Sequence, residues 1–265
     1  MSILAAQAYQ HVVPAPILMS SSPRIVVNPG FLTPTECAHF KSLGMQHGMK
    51  PALLVGKTHG VDIKTNERTN VSCWLPHDTS SITLEVVKRI AALVNIPLDR
   101  AEQIQLIYYR ENQFYMPHFD GWDMPDDLSQ MTEEQRVIKA RYMDPQGGQR
   151  VVTTLCYLNT LPAGGGGETE FPNLRVLSAQ LAPSPVPLSG NVMTEPVTET
   201  LKVFPEMGKL VCFSNVHEGT NKLHPNSLHA GCPVRPVVDA RTGAVVPVEK
   251  WAFNLWFRER NPRTK

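Results

Sequence analysis

The sequence predicts a mainly β protein with flanking α-helices, arranged as a sandwich or barrel. Several short runs rich in β-branched and aromatic residues follow residue 104, and Gly, Pro or Asn bounds them. Two helical patterns precede these runs, an order that disfavours a parallel α/β sheet. The chain also has 23 prolines among 265 residues, well above the usual share of about 5%, which is typical of a loop-rich protein.

The chain length is sufficient for one large domain. We expect a single domain over residues 26–265, with helical support over 26–100 and the β core over 101–260. Residues 1–25 are expected to form a poorly ordered extension. This stretch has no basic segment and contains Gln, His and Pro between its apolar residues, so it does not resemble a signal peptide.

Charge and cysteine content limit the classes of partner. The formal net charge is +1, so there is no electrostatic reason to expect a nucleic acid or an anionic membrane surface as partner. The five cysteines are scattered, and no two form a CxxC pair. Neither a disulfide framework nor a zinc site is therefore indicated, and a reducing, cytoplasmic setting is expected.

The first predicted helix covers residues 34–44. Thr33 is placed to cap it, Pro34 suits the first helical position, and Glu36 completes a capping box. The second predicted helix covers 80–94, where apolar residues recur at helical spacing. Its expected cap is Asp78 or Thr79. Both helices are expected to pack against the sheet.

Strand periodicity begins after the helices. Each run alternates or is apolar throughout, as half-buried or fully buried strands do. The predicted strands cover residues 104–110, 150–159, 209–215, 227–234 and 251–259.

Three segments interrupt the strands. Residues 123–148 are polar and predict a helix near 131–141, whereas 176–200 contain four prolines and predict a long loop able to act as a lid. Residues 236–248 predict a hairpin with its tip at 241–243. Loops around a β core commonly form a substrate rim.

Two polar residues stand out in the run YMPHFDGWDMP. His118 and Asp120 are two apart, so on a strand they project to the same face and could bind one ion together. A third ligand could come from His217, His224 or His229. Two histidines and one carboxylate are the ligand set of non-haem Fe(II) oxygenases, whereas zinc more often takes three histidines or cysteines.

Several ordered motifs carry a family resemblance. They are RTNVSCWL, IQLIYYRENQFYMPHFD, GGQRVVTTLCYLN, GGGGETEFP, GKLVCFSN, SLHAGCPV and EKWAFNLWFRER, and together they span about residues 65–260. In this order they resemble the catalytic domain of prolyl 4-hydroxylases in the Fe(II)/2-oxoglutarate dioxygenase superfamily. The resemblance implies a double-stranded β-helix, also called a jelly roll or cupin-like fold.

The resemblance also implies the iron ligands. His118 and Asp120 match the first two, and His229 in SLHAGCPV matches the third. His224 is an alternative third ligand five residues earlier. The AGCPV that follows His229 favours His229.

For the cosubstrate, the resemblance implies that Lys250 pairs with the distal carboxylate of 2-oxoglutarate. Tyr109 matches a tyrosine that hydrogen-bonds to the cosubstrate, and Thr169 matches another pocket position. Tyr157 is a further candidate, although a buried aromatic residue is more often part of the core.

Period 2 places Lys250 and Trp256 on one face of their strand. If this face lines the barrel, Trp256 points toward the site, where the family has a peptide-contacting tryptophan. Tyr115 and Trp122 beside the metal motif, and Arg150, are further candidate substrate contacts. A carboxylate-binding arginine in a closed pocket, among Arg110, Arg150 and Arg258, would instead favour a small acidic substrate.

The resemblance implies an enzyme that uses Fe(II), O2 and 2-oxoglutarate, with ascorbate as an accessory reductant. It hydroxylates an unactivated C–H bond, foremost that of a prolyl residue in a peptide or protein, and releases succinate and CO2. Two alternatives stay open at this point. One is the same chemistry on a free amino acid or secondary metabolite, with hydroxylation, desaturation or cyclisation as outcome. The other is a catalytically silent jelly-roll binding module.

The sequence departs from the family pattern between His229 and Lys250, where residues 236–248 lengthen the connection. The segment 176–200 is also enlarged. Both are expected at the pocket rim, where they affect the choice of substrate more than the chemistry.

Overall fold

Two antiparallel β-sheets face each other and carry helices on one outer side. The computed structural model describes residues 14–55, 62–63, 66–177 and 198–262. The large sheet has eight strands, in the spatial order β1 (Ile17–Ser21), β2 (Arg24–Asn28), β12 (Leu210–Ser214), β9 (Arg150–Tyr157), β16 (Lys250–Arg258), β7 (Ile104–Tyr109), β6 (Val71–Leu75) and β3 (Lys50–Pro51).

The small sheet forms the opposite layer and has four strands. Two further strand pairs lie outside the two sheets. The small sheet has the order β11 (Thr198–Val203), β10 (Thr169–Leu177), β13 (His229–Gly231) and β8 (Tyr115–His118), and the separate pairs are β4 (Leu54–Val55) with β5 (Asp62–Ile63) and β14 (Val237–Val238) with β15 (Val245–Val246).

The first helix, α1 (Pro34–His47), begins as predicted. The Thr33 hydroxyl accepts a hydrogen bond from the Glu36 backbone N–H at 3.2 Å, and the Glu36 carboxylate accepts one from the Thr33 N–H at 2.8 Å. The helix runs three residues past the predicted end at 44. It ends at Gly48, whose φ of 75° lies in the region that glycine tolerates best.

The second helix, α2 (Ser81–Val94), agrees with the predicted 80–94, but its predicted cap was wrong. Ser80, rather than Asp78 or Thr79, accepts the Thr83 backbone N–H at 3.0 Å. Serine and threonine are comparable caps in sequence, so only the backbone path decides which hydroxyl reaches the N–H.

Two apolar cores lie on the two faces of the large sheet. The outer core packs α1 and α2 on the sheet, with Phe40 against Phe253 at a ring-centroid distance of 4.6 Å. The inner core fills the space between the sheets and includes Phe171 and Phe213. Alternate residues of the central strand β16 therefore serve different cores, as its period-2 pattern predicts.

The amino-terminal part of the chain corrects one expectation. Within the expected extension 1–25, β1 pairs with β2, and β2 in turn pairs with β12. Ile25 is fully buried, so backbone hydrogen bonding and apolar burial hold this segment in the sheet. Residues 1–13 lie outside the described part of the chain.

The three interrupting segments are compared with their predicted structures in turn. Residues 123–148 contain the predicted helix as α3 (Glu133–Ile138), which continues into a π-helical turn over Lys139–Met143. The predicted hairpin of 236–248 is formed by β14 and β15. Most of the predicted loop 176–200 lies outside the described residues. In the described ranges, no helix is long and apolar enough to cross a bilayer.

The predicted strands are found with ends shifted by up to a few residues. The largest change is the predicted strand 227–234, of which only β13 is extended and paired, because Pro225–Ser227 form a 3-10 turn just before it. A mainly β protein with flanking helices is therefore confirmed.

Thr33→Ala should lower the free energy of unfolding by about 1 kcal/mol, because the Glu36 N–H loses its capping acceptor. Thr33→Ser keeps a hydroxyl and should stay close to the wild type. Urea unfolding followed by circular dichroism measures both. Equal destabilisation by the two variants would show that the cap hydroxyl does not stabilise α1.

Candidate active site

The pairing of β8 with β13 brings two histidines side by side. His118 and His229 are direct partners in the antiparallel register, and their ring centroids are 4.3 Å apart. Directly opposite residues project to the same face of a sheet. Two strands that are 111 residues apart in sequence (229 minus 118) thus present two imidazoles to one point.

Backbone carbonyls set the orientation of both rings. Nδ1 of His118 lies 2.8 Å from the Met116 carbonyl oxygen, and Nδ1 of His229 lies 2.9 Å from the Ser227 carbonyl oxygen. A carbonyl oxygen only accepts, so each Nδ1 carries the proton and donates it. Each Nε2 then has a free lone pair, which is the form that binds a metal ion.

Asp120 completes the group. Its Oδ1 lies 3.8 Å from Nε2 of His118, and its Oδ2 lies 3.6 Å from Nε2 of His229. Oδ2 also accepts hydrogen bonds from the Trp256 indole N–H at 2.8 Å and the Thr153 hydroxyl at 2.7 Å. The carboxylate is therefore held rigidly by β16 and β9.

The electrostatics keep these side chains ready to bind a cation. Burial, with a contribution from His229, lowers the pKa of His118 well below its ordinary value, so the ring is neutral. Burial alone would raise the pKa of Asp120. The neighbouring His229, His118 and Arg150 and the Trp256 N–H outweigh burial and hold that pKa below its ordinary value.

This donor set fits Fe(II). The candidate ligand atoms of His118, Asp120 and His229 all lie within 4.8 Å of one another. Two imidazoles and one carboxylate leave several coordination positions open, as in non-haem Fe(II) oxygenases. Among the described residues these three side chains form the only group of this kind.

The other two histidines considered from the sequence lie elsewhere. Nε2 of His224 lies 3.0 Å from the Ser22 hydroxyl, and its Nδ1 accepts the Asn226 N–H. His217 is exposed and packs on His224 at 4.3 Å. The choice of His229 over His224 is therefore supported by geometry.

Lys250 lies deep beside the triad with only 2% of its surface exposed. Its ammonium donates to the Gly167 carbonyl at 2.7 Å, and the described residues provide no carboxylate within ion-pair distance. Burial lowers the pKa of Lys250 to about 8. A buried cation without a counter-ion is suited to the distal carboxylate of 2-oxoglutarate.

Two of the other predicted cosubstrate residues also line this cleft, namely Tyr109 and Thr169. The Tyr109 ring lies 5.1 Å from the Lys250 ammonium, and the described chain provides its hydroxyl with no hydrogen-bond partner. Tyr157 is different. It is fully buried behind Thr169, accepting from the Thr169 hydroxyl at 2.6 Å and donating to the Val203 carbonyl. Tyr157 therefore positions Thr169 and belongs to the core.

An open cleft of about 1120 Å³ leads to the triad. The predicted substrate residues Tyr115, Trp122, Arg150 and Trp256 all line it. Tyr115 stacks on the ring of His118 at a centroid distance of 3.4 Å. Trp256 has a second role, because its N–H holds Asp120.

The arginines are occupied by a buried carboxylate. Arg150 binds Glu102 through two hydrogen bonds of 2.6 and 2.8 Å, and Arg258 forms an ion pair with the same carboxylate at 2.6 Å. Arg110 is exposed and does not line the cleft. None of the three is therefore placed as a dedicated binder of a small acid in a closed pocket.

Sequence reasoning missed several cleft residues. Glu102 follows the second helix without any motif. Arg68 and Trp74 belong to the RTNVSCWL motif, whose presence was the only available signal. Arg68 is buried over the Tyr115 ring at 4.7 Å, and half-exposed Trp74 packs near Trp256 at 5.9 Å.

One interrupting segment was expected at the rim and is not there. All residues of 236–248 are described, and none of them lines the cleft. Lys250, which follows this segment, does line it. The β14–β15 hairpin projects from the body with exposed valines. In contrast, the segment 123–148 does reach the cleft.

The site and the fold together define an Fe(II)/2-oxoglutarate oxygenase. The sequence model of the 2OG-Fe(II) oxygenase superfamily matches residues 104–258. This match covers more than half of the chain and includes all three candidate ligands. The chain belongs to this superfamily and, within it, is prolyl 4-hydroxylase-like.

Several proteins from Arabidopsis thaliana are similar to this chain in sequence. Prolyl 4-hydroxylase 5 is 30% identical over 91% of this chain and 70% of its own length, and probable prolyl 4-hydroxylase 3 is 32% identical over 90% and 70%. Probable prolyl 4-hydroxylase 7 is 27% identical over 92% of this chain. Here the chain spans 65% of the relative's length, which is less than two thirds.

Solved structures agree in fold. The viral collagen prolyl hydroxylase of Paramecium bursaria Chlorella virus-1, solved with 2OG, has a TM-score of 0.55 and 23% identity, covering 88% of this chain and 94% of the other. The predicted double-stranded β-helix is thereby confirmed.

His229→Ala should weaken Fe(II) binding by at least on the order of 100-fold, because one of three ligands is lost. His224→Ala is the matched control and should bind like the wild type. Anaerobic calorimetric titration with Fe(II) measures both. Loss of binding in His224→Ala with retention in His229→Ala would reverse the assignment.

Proposed function

We propose that the protein hydroxylates a prolyl residue in a peptide or protein at C-4, with 2-oxoglutarate and O2 as cosubstrates. The observation that carries this proposal is the His118–Asp120–His229 group in an open cleft, whose wall contains Lys250 with no carboxylate partner among the described residues. The named activity of the Arabidopsis relatives supports proline as the residue oxidised.

Bound Fe(II) would supply the oxidative chemistry, in which 2-oxoglutarate is converted to succinate and CO2 and the substrate gains a hydroxyl group. The protein supplies geometry. His118 and His229 offer Nε2 lone pairs, and Asp120 is held by Trp256 and Thr153. Rigid ligands place the reacting atoms without further reorganisation.

Lys250 orients the cosubstrate. The ammonium pairs with the distal carboxylate, and Tyr109 offers a hydroxyl group along the same wall, where Thr169 also lies. Because this pocket is buried, the ion pair forms out of water and is stronger than at the surface. The opposite end of 2-oxoglutarate is then directed toward the triad.

The cleft binds the substrate. Tyr115 and Trp256 line the cleft next to the candidate ligands, where their aromatic side chains would help to exclude water from a bound pyrrolidine ring. An open cleft of this volume suits a peptide chain. This favours a peptide over a free amino acid or secondary metabolite, since Arg150 and Arg258 already share Glu102.

The proposed setting is the reducing cytoplasm, and the proposed partner is a peptide rather than a nucleic acid or a membrane. All five cysteines are free thiols, as is usual in a reducing compartment. The net charge of +1 supports a partner that is not a polyanion.

Incubation with Fe(II), 2-oxoglutarate, ascorbate and proline-containing peptides should release succinate in step with a mass gain of one oxygen atom on the peptide. Hydrolysis should yield 4-hydroxyproline. His118→Ala should give neither product. Substrate-dependent succinate release with free amino acids but with no peptide would reject the peptide proposal and keep the chemistry.

The KM for 2-oxoglutarate should rise roughly tenfold between pH 7.5 and 9. The pKa of free Lys250 is about 8, so the ammonium that binds the carboxylate is lost as the pH rises through this value. Lys250→Arg stays charged and should show a flat KM over the same range. A flat profile for the wild type would remove Lys250 as the anchor.

A further inference from the structure

Residues 123–148, here called the cap, form one wall of the cleft. The cap supplies Tyr142 and Gln146 to the lining, next to Trp122 at its start. The proposed chemistry uses none of these three side chains. The cap could therefore contact a part of the substrate that the chemistry does not involve.

The cap is anchored at both ends by one buried residue. Gln149, with 1% of its surface exposed, accepts the Trp122 N–H at 3.0 Å and donates to the Trp122 carbonyl at 2.6 Å. The Arg258 guanidinium donates to the Gly148 carbonyl at 2.7 Å. The cap thus starts and ends on the wall that carries the metal site.

Its second half is also fixed to the end of β16. Asp144 forms ion pairs with Lys139 at 2.6 Å and with Arg260 at 3.2 Å. Gly147 has a φ of 93° and packs so closely on the Arg260 backbone that a Cβ atom would collide with the carbonyl oxygen. Close packing of this kind holds the segment in one conformation.

Tyr142 lies inside the π-helical turn Lys139–Met143. The next residue, Met143, is buried, whereas Tyr142 is half-buried and lines the cleft. Short π-helical turns within helices frequently occur at functional sites, because they reposition a single side chain. A side chain held in this way binds a ligand with a smaller loss of conformational entropy.

Trp122 follows the candidate ligand Asp120 by two residues, and it lines the same cleft as Tyr142 and Gln146. Trp256 contacts Asp120 directly at 2.8 Å, Arg150 lies 3.9 Å from the Trp256 ring, and Trp122 lies 5.5 Å from Arg150. A peptide advances at most about 3.5 Å per residue. A peptide bound along this lining would therefore bring a neighbour of its reacting residue toward the cap.

The chemistry of this wall indicates what kind of neighbour it takes. Trp122 and Tyr142 offer aromatic faces, and Gln146 offers a neutral amide. Arg150 and Arg258 lie behind Trp122 and both bind the carboxylate of Glu102, so these groups leave no free carboxylate for a lysine. An uncharged apolar residue fits such a surface, and a lysine is disfavoured.

We propose that Tyr142 is a specificity-determining residue that contacts an uncharged residue flanking the oxidised one. The proposal rests on the proposed function and deepens it, because it assigns a second subsite to the same cleft. Tyr142 takes no part in binding iron or 2-oxoglutarate.

The test compares a blocked peptide of three residues with one extended by several residues on both sides of the same proline. In Tyr142→Ala the KM for the extended peptide should rise on the order of tenfold. The KM for the short peptide, the KM for 2-oxoglutarate and kcat should stay unchanged. Tyr142→Phe should retain most of the affinity for the extended peptide.

Leu128→Ala is the matched control, since Leu128 lies in the cap, is 51% exposed and does not line the cleft. It should behave as the wild type. Extended peptides carrying valine or lysine at each flanking position complete the test. The wild type should discriminate against lysine on one flank, and Tyr142→Ala should lose that discrimination.

The outcomes are separable. If the wild type converts neither peptide, the proposed function fails and this inference fails with it. If the wild type converts both peptides, an unchanged or uniformly changed KM in Tyr142→Ala overturns the inference alone. A thermal melt matching that of the wild type shows that the variant is folded.

Discussion

The active site depends on the register between β8 and β13. His118 and His229 are direct cross-strand partners, and a shift of one residue would turn either imidazole to the opposite face of the sheet. The Met116 and Ser227 carbonyls that orient the rings belong to the same two chain segments. Register, ring orientation and proton position are thus fixed together.

The buried charged groups of this cleft differ in whether a partner of suitable charge or a hydrogen-bond donor stabilises them. Asp120 has hydrogen bonds from Trp256 and Thr153, and Glu102 is shared by two arginines. Lys250 differs, because burial lowers its pKa and the described chain provides no carboxylate partner. An incompletely satisfied buried cation costs stability. The distal carboxylate of bound 2-oxoglutarate would supply the negative charge that Lys250 lacks.

Regular strands and interrupting segments contribute different parts of the site. The candidate ligands and Lys250 come from or directly adjoin paired strands, so their positions are set by backbone hydrogen bonds. The cap contributes only to the outer wall, through side chains whose anchors are Gln149 and Arg258. A fold of this kind can keep its chemistry while the outer wall changes with the substrate.

Local patterns in the sequence determined the helices, the strands and the HxD pair, because capping, periodicity and turn residues act over a few positions. Motif order determined the superfamily. Only the tertiary structure showed that His224 lies away from the candidate ligands, placed Tyr157 in the core, brought Glu102 between two arginines and carried the cap into the cleft. These contacts join residues far apart in the chain, and their geometry depends on sheet register and packing, which no local pattern encodes.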